Sequence, residues 1–171
     1  KVQALGGSLF AETDRSLGAV PAALVPDAIL LDGACFGNYT GLLKLHPNRG
    51  IAAGASGAFL FGRNLGGGLD VAAPVTGAGP VLIKQETAAV TLSCPANDYA
   101  GDTVVGTTGP GIYNQVASAT LRLGADEVIP HGAGKGALVV NGEHKGVLDL
   151  NGHEETVNTL SEVGTFPLAN N

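Results

Sequence analysis

Residues 119–152 carry three short runs: ATLRLG at 119–124, ALVVNG at 137–142 and GVLDLNG at 146–152. In the first, Leu121 and Leu123 share one face, while Thr120 and Arg122 face away. In the third, Leu148 and Leu150 are expected on one face and Asp149 on the other. A repeat of two is the signature of a β-strand, whose successive side chains point to opposite faces. Each run buries just two or three side chains, so each strand is short.

The same pattern recurs toward the N-terminus. AILLDG (28–33), GLLKLHP (41–47), GAFLFG (57–62), GLDVAA (68–73), GPVLIK (79–84) and AVTLS (89–93) all read as short strands. Leu43 and Leu45 flank an outward Lys44. The joints are rich in Gly, Asn, Asp and Pro, as in PNRG at 47–50 and the NG pairs at 141–142 and 151–152. Those residues tolerate the backbone angles of tight corners. No segment holds a helical period; the nearest, Leu17 to Leu24, is broken by Gly18 and Pro21.

Composition narrows the choice. Hydrophobic residues make up 44% of the 171, but aromatics only 5%, and there are 27 glycines, no Met and no Trp. Sandwiches and barrels use longer strands and aromatics to fill a thick core. A β-solenoid has a narrow interior that takes stacked aliphatic side chains. The expected fold is therefore all-β: a parallel β-helix, or β-solenoid, with short strands and Gly/Asn-rich corners. Residues 1–171 read as a single solenoid segment, expected to belong to a longer repeat array.

Charge excludes further classes. Charged residues are 14% and the formal net charge is −6, so a clustered basic surface for nucleic acid is not expected. The longest weakly charged stretch, Thr103 to Leu121, is interrupted by Gly, Pro, Asn and Gln and does not read as a membrane span. The N-terminus, KVQALGG, lacks both an initiator Met and a signal pattern, as expected of a processed product or an internal segment.

Longer stretches resemble a known family. PDAILLDG at 26–33, LHPNRGIAAGASG at 45–57 and LRLGADEVIPHGAGKGALVVNGEHKGVLDLNGHEETVNTLS at 121–161 are similar to autotransporter-associated β-strand repeats. Those repeats build the passenger domains of very large bacterial surface and secreted proteins. VTLSCPANDYAGDTVVGTTG at 90–109 resembles the family's strand–NTYTGxTxV–strand unit, through Asn97, Tyr99, Gly101, Thr103 and Val105. The resemblance covers most of residues 8–166, and DLNGHEETVNTLS is its most specific part. It implies a right-handed parallel β-helix exposed outside the cell, at the bacterial surface or secreted. Departures are Ser161-Glu162-Val163-Gly164 where the family often has LSGSG, Cys94 at a small or polar position, and the bulk of Phe36, Tyr39, Phe59 and Phe61. No translocation barrel is expected within residues 1–171.

Candidate chemistry is sparse. GAGKG at 132–136 fails the phosphate-loop pattern, because Ile129 stands where the first Gly belongs and Gly136 follows Lys135. LGGGLD at 65–70 is one partial copy of a calcium nonapeptide, and Asp70 reads better as an outward strand residue. His131, His144 and His153 lie near Glu143, Glu154 and Glu155 without a metal-ligand spacing, and His153 is expected to serve its turn. Ser56 in GASGA lacks the second Gly of a nucleophile elbow. The adjacent pairs Asp126/Glu127 and Glu154/Glu155 read as solvated turns, not as a catalytic carboxylate pair. Asn38-Tyr39-Thr40 is formally a glycosylation sequon. Cys35 and Cys94, 59 residues apart, read as small apolar residues or as one disulfide if exported. Tyr39, Tyr99 and Tyr113 are too scattered for a row of glycan-binding aromatics.

The function expected is structural: a surface-exposed or secreted scaffold or adhesin segment, with no catalytic, cofactor-binding or metal-ligating residue assigned. The alternatives are a polysaccharide-acting β-helix enzyme and a carbohydrate-binding module. Convergence of three or more charged side chains on one rung would favour the enzyme. Expected partners are neighbouring repeats or identical subunits stacking end to end through open solenoid ends, and glycans or cell surfaces, with no nucleic acid. No polar capping helix is expected at either end.

Overall fold

The computed structural model describes residues 1–63, 67–84, 86, 88–110 and 118–164. The chain winds as a β-solenoid of about six turns. Its first coil holds β1 (Val2–Ala4), β2 (Ser8–Phe10) and a short 3-10 turn at Asp14–Leu17. The second holds β3 (Val25–Leu31), β4 (Ala34–Asn38) and β5 (Leu42–Leu45), and the third β6 (Arg49–Ala53), β7 (Ala58–Gly62) and β8 (Gly68–Val71). The fourth holds β9 (Val75–Gly77), β10 (Val81–Lys84) and β11 (Val90–Leu92). The fifth holds β12 (Asp98–Tyr99), β13 (Thr103–Thr107) and β14 (Ala119–Leu123). After these come β15 (Leu138–Asn141), β16 (Gly146–Asp149) and β17 (Leu160–Val163).

Each side of the coil is a parallel sheet. Sheet A runs β1-β3-β6-β9-β12, sheet B runs β2-β4-β7-β10-β13-β15-β17, and sheet C runs β5-β8-β11-β14-β16. Every chain-neighbour strand therefore lies on a different side, and every pairing partner lies one coil away. This is the stacked-repeat arrangement expected from the sequence. Among the described residues there is no α-helix, and no helix is long and apolar enough to cross a membrane.

Register turns the two-residue alternation into ladders. Phe36, Leu60, Ile83 and Val105 stack inward on sheet B, and Leu43, Leu69, Val90 and Leu121 on sheet C. Ile29, Ile51 and Val75 stack on sheet A. All are buried. Burying an aliphatic side chain stabilises by about 1.5–3 kcal/mol relative to leaving it exposed, and identical depth in successive coils makes that contribution repeat.

All nine runs read as strands are strands. The reading of Leu150 is corrected: it is 47% exposed and lies beyond the end of β16, while Leu148 packs on the core. Asp149 Oδ1 accepts the Asn151 amide at 3.0 Å, and Asn151 takes φ 50°, so the chain has already entered a turn. Sheet A, apart from β3, went unread. Its strands VQA, RGIAA, VTG and DY are short and rich in small residues, and so resemble corners.

The corner leading from sheet A to sheet B is a column of glycines. A Cβ on Gly79 would overlap Gly54 O, one on Gly101 would overlap Pro80 N, and one on Gly136 would overlap Gly101 C. Consecutive coils thus approach backbone to backbone there, which only a residue without a side chain permits.

At the first coil a polar turn lies on one of the three edge strands, while β1 and β2 stay at the edges of sheets A and B. The 3-10 turn Asp14–Leu17 packs against β5, the edge strand of sheet C. Asp14 Oδ1 accepts the His46 amide at 3.0 Å. The buried Arg49 reaches the same turn, binding Asp14 at 3.0 Å and the carbonyls of Leu17, Gly18 and Ala19. The turn thus satisfies the first amide beyond β5 and the buried Arg49 guanidinium.

Candidate functional site: the inter-coil corner at residues 124–158

After β12 no further sheet A strand occurs among the described residues, yet the chain still stacks. Side chains take over the hydrogen bonding. Asn97 marks the change: its Oδ1 accepts the Val75 amide and its Nδ2 donates to Val128 O, both at 2.8 Å. One coil on, Glu155 accepts the Val128 and Ile129 amides at 2.9 and 3.1 Å. Two consecutive amides facing one carboxylate need no strand partner to be satisfied.

The rest of DLNGHEETVNTLS works the same way. Asn151 Nδ2 donates to Leu123 O, and Asp126 Oδ1 meets His153 Nδ1 at 2.9 Å and accepts the Glu154 amide. Glu127 accepts the amide and hydroxyl of Thr156. Asn158 accepts the Gly132 amide and donates to the carbonyls of Gly132 and Lys135. Each bond joins residues roughly one coil apart, within the 20–45-residue repeat of solenoids.

Here the reading of the acidic pairs is corrected. Asp126 and Glu127 are exposed, but Glu155 is half-buried, and all three carboxylates bind the adjoining coil rather than solvent alone. Glu127, His131 and Glu155 present ligand-type atoms within 4.8 Å of one another. The convergence is between coils, not along one rung. Two acidic residues 28 apart in sequence match no local motif; only the stacking offset unites them. Burial, first, and then the neighbouring Glu127 charge raise the Glu155 pKa, while the two amides and His131 oppose the rise. For Asp126 the His153 hydrogen bond leads in holding the carboxyl below the usual range. A cleft of about 180 Å³ adjoins the cluster, with Asp98, Glu127, His131 and Lys135 on its walls.

The other candidate residues fall apart as sites. Lys135 of GAGKG is paired with Asp98 at 2.5 Å, and Gly132 and Gly134 adopt positive φ in an ordinary corner. Asp70 is indeed outward, bridging Lys44 at 3.1 Å and Ser93 at 2.6 Å; Leu65 and Gly66 of the same motif lie outside the described residues. Ser56 is exposed, with its amide on Asp32 at 2.7 Å. His144 closes the 3-10 turn Gly142–His144, apart from the cluster, and Asn141 caps the start of that turn, its Oδ1 accepting the Glu143 amide at 3.1 Å. His153 serves its corner, as expected.

Asn38 cannot serve as a glycosylation acceptor in this fold. Its side chain is buried and donates to Thr40 O at 3.2 Å and Gly41 O at 2.6 Å. Cys35 and Cys94 are free thiols; burial pushes the Cys35 pKa up to about 11, which keeps it inert. Tyr99 is a core residue whose hydroxyl meets Thr103 Oγ1 at 2.6 Å, and Tyr39 packs tilted against Phe10, ring centroids 4.5 Å apart; Tyr113 lies outside the described residues. One buried feature carried no sequence signal. Lys84 and Glu86, at and just past the end of the GPVLIK run, pair at 3.1 Å with their side chains only 4% and 2% exposed.

Charged residues on the outer face of sheet C form a column, not a cleft. Lys44, Asp70, Arg122 and Asp149 share one register line, interrupted by Thr91 between Asp70 and Arg122, and Arg122 pairs with Asp149 at 2.8 Å. Searches against family models, curated proteins and solved structures return no match to the chain.

Proposed function

We propose that the chain is a structural segment of a surface-exposed or secreted bacterial β-solenoid, a scaffold or adhesin of the autotransporter passenger type. One observation carries this reading. In the motif most specific to the resemblance, DLNGHEETVNTLS, the side chains of Asn151, His153, Glu155, Thr156 and Asn158 all bind the preceding coil. A motif devoted to fastening coils serves stiffness and reach. Glu155 and Glu127 accept amides of the adjoining coil, a fastening role that supports the structural reading.

Adhesion is assigned to the outer faces, where low charge leaves polar surface for glycans or other cell surfaces. Stacking of copies or of further repeats uses the edge strands: β17 carries Leu160 and Val163, 65% and 48% exposed. Immunogold labelling of the source cells with antibodies to this chain tests the location. Gold on the outer surface or on released fibres is expected; gold confined to the cell interior overturns the reading. Size-exclusion chromatography tests stacking, and a monomer that persists at high concentration overturns the end-to-end version.

A further inference from the structure

We infer that Glu127, His131 and Glu155 form a site for a divalent transition-metal ion of the zinc class, bridging two coils. The three residues bring one imidazole nitrogen and two carboxylates within 4.8 Å of one another. His131 Nδ1 stands 3.5 Å from Glu127 Oε2, longer than a normal N–H···O hydrogen bond. It is close to the roughly 3.3–3.5 Å edge of a tetrahedron built on zinc–ligand bonds of about 2.0–2.2 Å. Among the described residues the His131 ring makes no hydrogen bond, and its neighbouring charged group is Glu127.

The carboxylates are held as metal ligands usually are, by outer hydrogen bonds that fix their direction. Glu155 is oriented by the Val128 and Ile129 amides, and Glu127 by Thr156. Those bonds leave further lone pairs on each oxygen. Glu127 adopts φ 52°, a left-handed conformation that a residue with a side chain seldom takes. No Lys or Arg ion pair reaches either carboxylate among the described residues; Lys135 is paired with Asp98 and Arg122 with Asp149. The nearby negative charge thus has the His131 imidazole beside it and no permanent cation. The adjoining cleft gives an entry path and room for bound water. A mixed nitrogen–oxygen donor set favours zinc-like ions over calcium, which takes six to eight oxygens.

Isothermal titration of the full 171-residue chain with zinc, calcium and magnesium chlorides tests the site. The expected result is one zinc per chain with much weaker calcium and magnesium binding, and a visible ligand-field band on substitution with Co²⁺. His131→Ala is expected to weaken zinc binding by at least about tenfold, whereas His144→Ala and Cys94→Ser leave it unchanged. Thermal melting shows whether the variants are folded. In the unaltered chain, the His131 ring resonance should move with the first equivalent of zinc, ahead of those of His46, His144 and His153. Absence of zinc uptake, uptake unaffected by His131→Ala, loss in Cys94→Ser, or equal affinity for calcium each overturns the assignment.

Discussion

Coils between residues 25 and 99 and the corner spanning 124–158 solve one problem in two ways. In the first region, sheet A pairs backbone to backbone through β3, β6, β9 and β12. In the second, the same side of the coil is held by Asn97, Asp126, Glu127, Glu155 and Asn158 reaching across to the neighbouring coil. A backbone ladder is indifferent to side-chain identity, provided the inward residue is apolar and fits. A side-chain ladder depends on the length and chemistry of each polar residue. The two regions should therefore fail under opposite kinds of substitution.

The largest effect is expected in the regular coils. Leu60 is fully buried in the sheet B ladder, so Leu60→Ala is expected to cost about 2–5 kcal/mol, read by denaturant melts. A change below about 1 kcal/mol would mean that the coil closes around the gap and that the ladder is less tightly packed than its burial indicates. Next comes the hand-over between the two modes. Asn97→Ala leaves Val75 N and Val128 O without their partner, at about 1–3 kcal/mol. Amide exchange should quicken at Val75. Glu155→Ala should release the Val128 and Ile129 amides while those of β7 and β10 stay protected, and loss of protection throughout would erase the distinction between regions.

How far these contrasts were legible in the sequence follows from the same physics. Ladder positions such as Leu43, Leu45, Leu121 and Leu123 announce themselves, because strand periodicity is local. Sheet A strands like VTG hold too few large residues to show a period. The polar corner was visible as a resemblance but not as a mechanism. Glu127 and Glu155 meet only after the chain has gone once around, and no window of neighbouring residues encodes that offset. Asn38 was misleading for a related reason: its sequon is local, while its burial depends on the coil around it.

Smaller effects are expected at the 3-10 turn and on the sheet C face. Burial of Asp14 works to raise its pKa. The hydrogen bond and charge of Arg49 and the His46 amide outweigh that, and the net shift is below the ordinary 3.8. A carboxyl depressed in the folded state adds stability above its unfolded pKa and loses it as the pH falls through the folded value. Asp14→Asn should therefore lower stability at neutral pH and flatten the acid limb below about pH 4, seen by melting across pH. An unchanged acid limb would remove Arg49–Asp14 from the account of the first coil. Smallest of all, Arg122→Ala severs an exposed pair with Asp149 and is expected to leave the melting temperature within experimental scatter. A clear drop would show that the charged column of sheet C acts as a network.

The glycine column at the corner between sheets A and B bears on how such a chain could grow. Duplication or recombination of single coils is the natural route to a longer array, since each coil touches mainly its neighbours. A transplanted coil would be accepted on sheets B and C wherever its inward residues are aliphatic. At the corner of Gly54, Gly79, Gly101 and Gly136 it would be accepted only if it brought its own glycine in register. That single position acts as a splice mark, deciding which breakpoints yield a continuous solenoid.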